Sequence, residues 1–195
     1  MSMEAFKKAA ARRAADMVQS GMVVGLGTGS TAKYMIERLG ERITEGLEIM
    51  GIPTSEDSAE KAQKAGIPLT DFATHRRLDI AIDGADEVER GTLNLIKGLG
   101  GALTREKIVA QAAKRFVVIV DASKPVDHLG ERAPVPVEVL SFGWECTAER
   151  LSACGDEGGK PRAGRGGNLF VSDNGNMVLD CTFGPIEDPE ELARQ

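Results

Sequence analysis

The stretch Met22-Val-Val-Gly-Leu-Gly-Thr-Gly-Ser-Thr-Ala32 decides the fold class of this chain. It begins with a short apolar run, 22–26, which is typical of a buried strand. Glycines and hydroxyl residues follow, and then 32–39 carries apolar residues at helical spacing, with Gly40 predicted to end the helix. A strand, a glycine loop and a helix in this order predict one unit of a parallel sheet covered by helices.

The same alternation continues along the first two thirds of the chain. A helix is predicted at 4–19, ended by Gly21, and Thr104 is a possible N-cap of a later helix. Further strands are predicted at 49–52, 67–69, 78–82 and 116–120, and further helices at 56–65 and 104–114. We therefore predict an α/β domain over residues 1–130, a Rossmann-like and mostly parallel sheet with helices on both faces.

A Pro-containing stretch, 132–137, marks the end of the strand–helix alternation. Beyond it we predict a second, small domain over 131–195, with a hairpin turn at Asp173-Asn-Gly-Asn176. Its predicted elements are a strand at 135–140, a helix at 143–153, strands at 168–173 and 177–183, and a helix from about 188. This order is that of a ferredoxin-like α+β unit without its final strand. The glycine-rich segment 155–167 is expected to be a mobile loop without a function.

Composition narrows the classes of function. The chain has 195 residues, enough for one or two domains, and its net charge of −6 comes with no basic block, so nucleic acid is not an expected partner. No signal-peptide pattern is visible and no apolar run approaches the ~18 residues of a membrane span, so we expect a cytoplasmic protein without membrane contact. Three cysteines without a CxxC pair and two isolated histidines, His75 and His128, predict no metal site.

The glycine loop has the character of an anion site. Backbone N–H groups at a helix N-terminus favour negative charge, and the hydroxyls of Thr28, Ser30 and Thr31 lie around Gly29. Ser30 occupies the last glycine position of a dinucleotide fingerprint, and no P-loop lysine follows. A small phosphate therefore suits the loop better than a dinucleotide, although the glycines could also serve only a tight turn.

Charged residues follow two of the predicted strands. Asp83 and Asp86 come directly after strand 78–82, and Lys124 follows strand 116–120. Open α/β sheets bind ligands at the carboxyl ends of their strands, so these side chains are candidates for one site. The alternative is a solvated acidic turn and a surface lysine.

A second glycine loop carries a lysine and leads to a glutamate. Lys97 precedes Gly98, Gly100 and Gly101, where a ligand can approach closely, and its charge could stabilise an oxyanion. Glu106 falls in the first turn of the following helix, where a carboxylate is favoured by the helix dipole without any function. Each signal is weak by itself, and their convergence at one sheet edge favours function.

Taken together, these segments resemble type A ribose-5-phosphate isomerases, in the same order along the chain. The segments are 25–32, 83–87, 97–108 and 121–124, and the resemblance continues through 134–138 and 173–176 to 183–189. The resemblance implies interconversion of ribose 5-phosphate and ribulose 5-phosphate in the pentose phosphate pathway, without a cofactor, by a homodimer or a dimer of dimers. It also implies strand segments beyond the helix near 188 that complete the small domain.

The resemblance also implies roles for individual residues. Glu106 matches the proton-transferring base, and we hypothesise that exclusion of water raises its pKa toward neutrality. Lys97 would stabilise the enediolate, while Asp83 and Asp86 would position hydroxyls and assist ring opening. The implied substrate-contacting residues are Thr28, Gly29, Ser30, Thr31, Gly84, Ala85, Gly98, Leu99, Gly100 and Lys124, with Lys7 near the phosphate.

Two other functions remain open on the sequence. A non-catalytic sugar-phosphate sensor could use the same scaffold, since fold alone does not determine function. A Rossmann-type nucleotide enzyme is the other alternative, and Ser30 in place of the final fingerprint glycine speaks against it.

Overall fold

In the computed structural model, which describes residues 2–195, the chain forms two compact units. The first comprises the residues up to Gly84 together with Thr104–Ser123, and the second comprises Ala85–Leu103 together with Lys124–Gln195. This division differs from the single boundary expected near residue 130. The reason is that the 87–89 strand, which the sequence did not reveal, pairs with the 125–126 strand, so Ala85–Leu103 joins the later part of the chain.

The helices and strands alternate along the chain much as expected. In order they are α1 (Met3–Ala15), β1 (Val23–Leu26), α2 (Ala32–Thr44), β2 (Met50–Pro53), α3 (Glu56–Lys64), β3 (Ile80–Asp83), β4 (Glu87–Glu89), β5 (Leu95–Ile96), α4 (Leu103–Ala112), β6 (Phe116–Val118), β7 (Pro125–Val126), β8 (Val135–Val139), α5 (Trp144–Ala153), β9 (Lys160–Pro161), β10 (Met177–Cys181) and α6 (Pro189–Leu192). Among the described residues, no helix combines the length and the apolar character that a membrane crossing needs.

The first unit is built on a parallel four-stranded sheet in the order β2-β1-β3-β6. Alternate residues of β1 face opposite sides, since Val24 belongs to the core beneath α1 and α2 and Val23 to the core beneath α4. The larger core contains Leu26, Met35, Ile36, Leu39 and Ile82, all nearly or fully buried. The parallel sheet with helices on both faces is therefore confirmed.

Gly40 does not end α2, which continues to Thr44, so that prediction is wrong. A Cβ added at Gly40 would lie 2.7 Å from the carbonyl oxygen of Ala65 and 2.8 Å from its Cβ. Gly40 is therefore the position that lets α2 approach the end of α3. Thr104 is likewise not an N-cap, because α4 already begins at Leu103.

The second unit contains two small sheets, β5-β4-β7 and β8-β10-β9. β10 lies between β8 and β9 and runs antiparallel to both, which is the arrangement of a split β-α-β unit with α5 as the connection. One edge strand is β9, which lies within the 155–167 segment expected to be a loop. The strand predicted at 168–173 is wrong, since this stretch has isolated bridges at Leu169 and Val171 instead. The sequence missed β4, β5, β7 and β9 because strands of two or three residues are too short to show periodicity.

Candidate active site

The loop between β1 and α2 is closed over a buried carboxylate. Asp83, at the end of β3, is 3 % exposed, and its Oδ1 accepts hydrogen bonds from the amides of Thr28 (3.0 Å) and Gly84 (2.7 Å). A Cβ at Gly27 would lie 2.3 Å from that oxygen, so only glycine permits this approach. The amide contacts fix the orientation of the Asp83 carboxylate at the carboxyl edge of the sheet.

The Thr28 hydroxyl turns toward other hydroxyls. It lies 2.7 Å from Thr54 Oγ1, 2.7 Å from Ser55 Oγ and 2.9 Å from Ser58 Oγ. A hydroxyl has one proton and two lone pairs, so these three neighbours satisfy it. The side chain of Thr28 thus holds the loop in place, which differs from the expectation that its hydroxyl faces an anion.

The remainder of the loop has the geometry of an anion site. Thr31 is the N-cap of α2, and within residues 2–195 its hydroxyl makes no capping hydrogen bond to the helix amides. Gly29 has a φ of +104°, which turns the chain into the helix. Lys7, from α1, places its Nζ 3.1 Å from Ser30 Oγ. A cation, a hydroxyl and a helix N-terminus therefore meet at one place.

Asp121 contacts the candidate anion site, and sequence reasoning gave it no role. Its carboxylate is 5 % exposed, lies 3.8 Å from Lys7 Nζ, and accepts hydrogen bonds from the amide and hydroxyl of Ser123. This arrangement directs the Lys7 ammonium toward Ser30. The signal that marked Asp83, an acid directly after an apolar run, also applies to Asp121.

Glu106 lies in the first turn of α4 and is 5 % exposed, so it is not a solvated helix-start residue. One turn later, Val109 packs against the sheet at Gly25 of β1. A Cβ added at Gly25 would lie 2.5 Å from Val109 Cγ1 and 2.8 Å from Ala81 Cβ of β3, so these three residues are in close contact. Asp83 follows Ala81 by two residues, on the same face of β3. Because α4 leads into the parallel strand β6, its N-terminus lies at the carboxyl edge of the sheet. The first unit therefore brings Glu106 and Asp83 to the same edge.

In the second unit, Asp86 and the Lys97 loop are brought together. Asp86 Oδ2 accepts a hydrogen bond of 2.9 Å from the Leu99 amide, and the Asp86 amide donates to the Ile96 carbonyl. Gly98 has a φ of +108° and its carbonyl accepts from the Gly101 amide, which closes a tight turn directly after Lys97. Gly100 is exposed on this turn, and Lys97 is half-buried beside it.

Two further candidates, Ala85 and Lys124, belong to the same unit. Ala85 and Lys124 are half-buried, and the Lys124 carbonyl accepts from the Val88 amide of β4. Glu87, the last residue of the 83–87 segment, is 1 % exposed and anchors a loop. Its carboxylate accepts hydrogen bonds from the amides of Gly130, Arg132 and Ala133.

These features define an α/β protein whose parallel sheet has, at its carboxyl edge, the geometry of a small-anion site and buried carboxylates. Across the part of the chain that the structure describes, no group of three or more His, Cys, Asp or Glu side chains has the arrangement of a metal site.

Comparison with known proteins identifies the family. Residues 50–195 match the family described as ribose 5-phosphate isomerase A (phosphoriboisomerase A). The ribose-5-phosphate isomerase A of Gluconobacter oxydans is 79 % identical over 193 residues, covering 99 % of this chain and 84 % of the relative. The chain belongs to the ribose 5-phosphate isomerase A family, as its motifs indicated.

Solved structures agree with this assignment. Ribose 5-phosphate isomerase A from Methanocaldococcus jannaschii superposes with a TM-score of 0.94 at 47 % identity, covering 99 % of this chain and 85 % of that one. A D-ribose-5-phosphate isomerase in complex with phospho-erythronic acid gives a TM-score of 0.93 at 41 % identity, covering 98 % of this chain and 84 % of that one.

Proposed function

We propose that this protein is an aldose–ketose isomerase that interconverts ribose 5-phosphate and ribulose 5-phosphate in the pentose phosphate pathway. The observation that carries the proposal is the buried Glu106 at the same sheet edge as Asp83. A buried carboxylate there serves proton transfer, whereas a helix-start glutamate would be solvated. The names of the relatives support catalysis over the sensor alternative.

The phosphate end of the substrate is assigned to the first glycine loop. Backbone amides at the start of α2, the Ser30 hydroxyl and the Lys7 ammonium together provide hydrogen bonds and charge for a phosphate. The relative solved with phospho-erythronic acid, a phosphorylated sugar acid, supports a phosphate-bearing ligand in a site of this family. Gly29 and Thr31 belong to this subsite through their backbone.

The reaction requires one base acting at two carbons. In the open form of ribose 5-phosphate, Glu106 removes the proton from C2, and the electrons of that bond form the enediolate as the C1 carbonyl becomes an oxyanion. Glu106 then returns the proton to C1, while the proton of the C2 hydroxyl passes to the C1 oxyanion, so that C2 becomes the ketone and C1 a hydroxymethyl group. The substrate and product have the same overall oxidation state, so the reaction needs no external oxidant or reductant.

The other candidates are assigned to stabilisation and positioning. Lys97 stabilises the enediolate charge, and its place beside a tight glycine turn lets substrate approach the backbone. Asp83 and Asp86 position sugar hydroxyls and assist ring opening. Residues proposed to contact the sugar are Gly84, Ala85, Gly98, Leu99, Gly100 and Lys124, and Thr28 contributes by holding the phosphate loop.

The proposals on assembly and location rest on the resemblance to the family alone. We propose a homodimer or a dimer of dimers in the cytoplasm, acting without a cofactor, a nucleic-acid partner or a membrane. Measurement of the molecular mass in solution tests the oligomeric state, and a monomer of the chain's 20.7 kDa would contradict it.

The decisive experiment follows ketose formation from ribose 5-phosphate by the purified protein in D₂O. Turnover with incorporation of solvent deuterium at C1 is expected, because the proton on Glu106 exchanges with solvent before its return. Unphosphorylated ribose is the matched control and should react poorly, since it lacks the group that the Lys7 subsite holds. Binding of ribose 5-phosphate without ketose formation would contradict the proposal and would support the sensor.

A further inference from the structure

Arg162 lies just after β9, within the glycine-rich segment that the sequence left without a function. Its side chain is only 11 % exposed and is held by Asp180 of β10. Nε donates to Asp180 Oδ2 at 2.9 Å, and Nη2 donates to Oδ1 of the same carboxylate. This fork-to-carboxylate pairing orients the plane of the guanidinium.

The remaining nitrogen of the fork reaches the second glycine loop. Arg162 Nη1 donates to the carbonyl oxygens of Gly98 and Leu99, both at 3.0 Å. These carbonyls belong to the turn that directly follows Lys97. A side chain 64 residues away in sequence thus holds the backbone of this turn.

Phe170 supports the same contact. The Arg162 guanidinium carbon lies 5.6 Å from the centroid of the Phe170 ring. A Cβ added at Gly101 would lie 2.2 Å from Phe170 Cζ, so the ring packs directly against the end of the turn. The turn is therefore held on its carbonyl side by Arg162, at its end by Phe170, and on its amide side by Asp86, which accepts from Leu99.

We propose that Arg162 is a positioning residue that fixes the turn after Lys97 and so holds the Lys97 ammonium where the enediolate charge develops. This inference rests on the proposed isomerase function. An arginine is required because one planar fork must bind a carboxylate and two carbonyls at once. A lysine ammonium is a compact charge and does not span both partners.

The test compares Arg162→Lys with the wild type and with Arg90→Lys as a matched control. Arg90 is 58 % exposed in the same unit and forms a surface ion pair with Asp127. We expect Arg162→Lys to lower kcat by about tenfold to a hundredfold, as small displacements of a catalytic group do. KM should change by less than about threefold, since phosphate binding is assigned to the Lys7 loop. Arg90→Lys should leave kcat and KM unchanged.

Hydrogen–deuterium exchange gives a readout that does not depend on activity. Amides of residues 98–101 should exchange faster in Arg162→Lys than in the wild type, while those of β1 and β3 should not change. Asp180→Asn is the second variant, because it leaves Arg162 in place but removes the charge that orients it. Like Arg162→Lys, it should lower kcat and speed the amide exchange of residues 98–101. If Arg162→Lys does not fold, Asp180→Asn tests the inference by itself.

Two results would overturn the inference. One is a folded Arg162→Lys or Asp180→Asn protein with the kcat and the local exchange of the wild type. The other is a parallel loss of kcat, substrate affinity and thermal stability with faster exchange throughout the second unit, which would show a general structural role. A wild-type protein without isomerase activity would instead contradict the proposed function, and the exchange at 98–101 would still report whether Arg162 holds the turn.

Discussion

Lys7 Nζ lies 3.1 Å from Ser30 Oγ, so the first helix of the chain contributes a cation to the loop between β1 and α2. Asp121, from the end of the sheet, lies 3.8 Å from the same ammonium and directs it. Side chains from three segments distant in sequence thereby meet at one place. The positive charge stands beside a helix N-terminus, which is where a phosphate is best accommodated.

Replacing Lys7 by methionine should raise KM for ribose 5-phosphate by about tenfold to a hundredfold, because hydrogen bonds to charged groups contribute about 1.5–3 kcal/mol. The effect on kcat should be smaller, since the phosphate is bound in both the ground and transition states. Lys8→Met is the matched control, because Lys8 is the exposed neighbour on the same helix. Equal KM values for the two variants in a steady-state assay would remove Lys7 from the phosphate site.

Glu106→Gln should lower kcat by at least about 10²–10⁴-fold, the usual contribution of general acid–base catalysis. The amide preserves the size of the buried side chain but cannot take up the substrate proton. Circular dichroism should show an intact fold. Glu60→Gln serves as the control, since Glu60 is 69 % exposed on α3 and should retain full turnover. Turnover near wild type in Glu106→Gln would refute the base assignment.

Gly40→Ala should destabilise the protein by about 1–3 kcal/mol, the usual cost of overpacking. In an exposed helix interior the same change stabilises by about 1 kcal/mol. The sign reverses here because the new methyl group would lie 2.7 Å from the Ala65 carbonyl oxygen. Urea unfolding measures the effect, and a raised midpoint would contradict the close packing of α2 on α3.

The three cysteines should differ sharply in reactivity. Burial, with the nearby Asp156 carboxylate as a smaller contribution, raises the pKa of the Cys181 thiol to about 12, whereas Cys146 is exposed. At pH 8 a thiol reagent should therefore modify Cys146 rapidly and Cys181 only after unfolding. Peptide mass spectrometry locates the label, and Cys146→Ser should remove the rapid modification at that position. Rapid labelling of Cys181 in the folded protein would contradict its burial.

Titration of Asp79 should make the free energy of unfolding depend on pH in the acid range. Lys114 Nζ, at 2.8 Å, and the Val23 amide, at 2.9 Å, hold the pKa of the Asp79 carboxyl below its usual value. A carboxyl with a lowered pKa stabilises the fold above the unfolded value of about 3.9, and this contribution is lost as pH falls through the lower folded value.

Asp79→Asn should therefore reduce the free energy of unfolding at pH 7, and the difference from wild type should shrink as pH falls below about 4. Asp127→Asn, which changes a surface pair with Arg90, should have little effect at either pH. Urea unfolding at both pH values makes the comparison. A difference for Asp79→Asn that stays constant with pH would contradict the linkage.

Much of the fold was predictable because its signals are local. The apolar run of β1, the glycines before α2 and the helical spacing of α1 are each local signals, and all three elements form where expected. The ends of the helices differ, since α1 ends at Ala15 and α2 continues past Gly40 to Thr44. The predictions failed where a residue has a role in tertiary packing that differs from the local role its sequence pattern suggested. Gly40 serves close packing of two helices, and the 155–167 segment supplies an edge strand and Arg162.

The features of the candidate site also fall into those that the sequence predicts and those that depend on tertiary contacts. The sequence by itself determined the family, the parallel sheet and the chemical types of the site residues, because motifs such as 83–87 and 97–108 are contiguous. Only the tertiary structure decided that Glu106 is buried, that the Thr28 hydroxyl faces other hydroxyls, and that Arg162 holds the turn after Lys97. Each of these depends on contacts between residues far apart along the chain, and local patterns carry no information about such contacts.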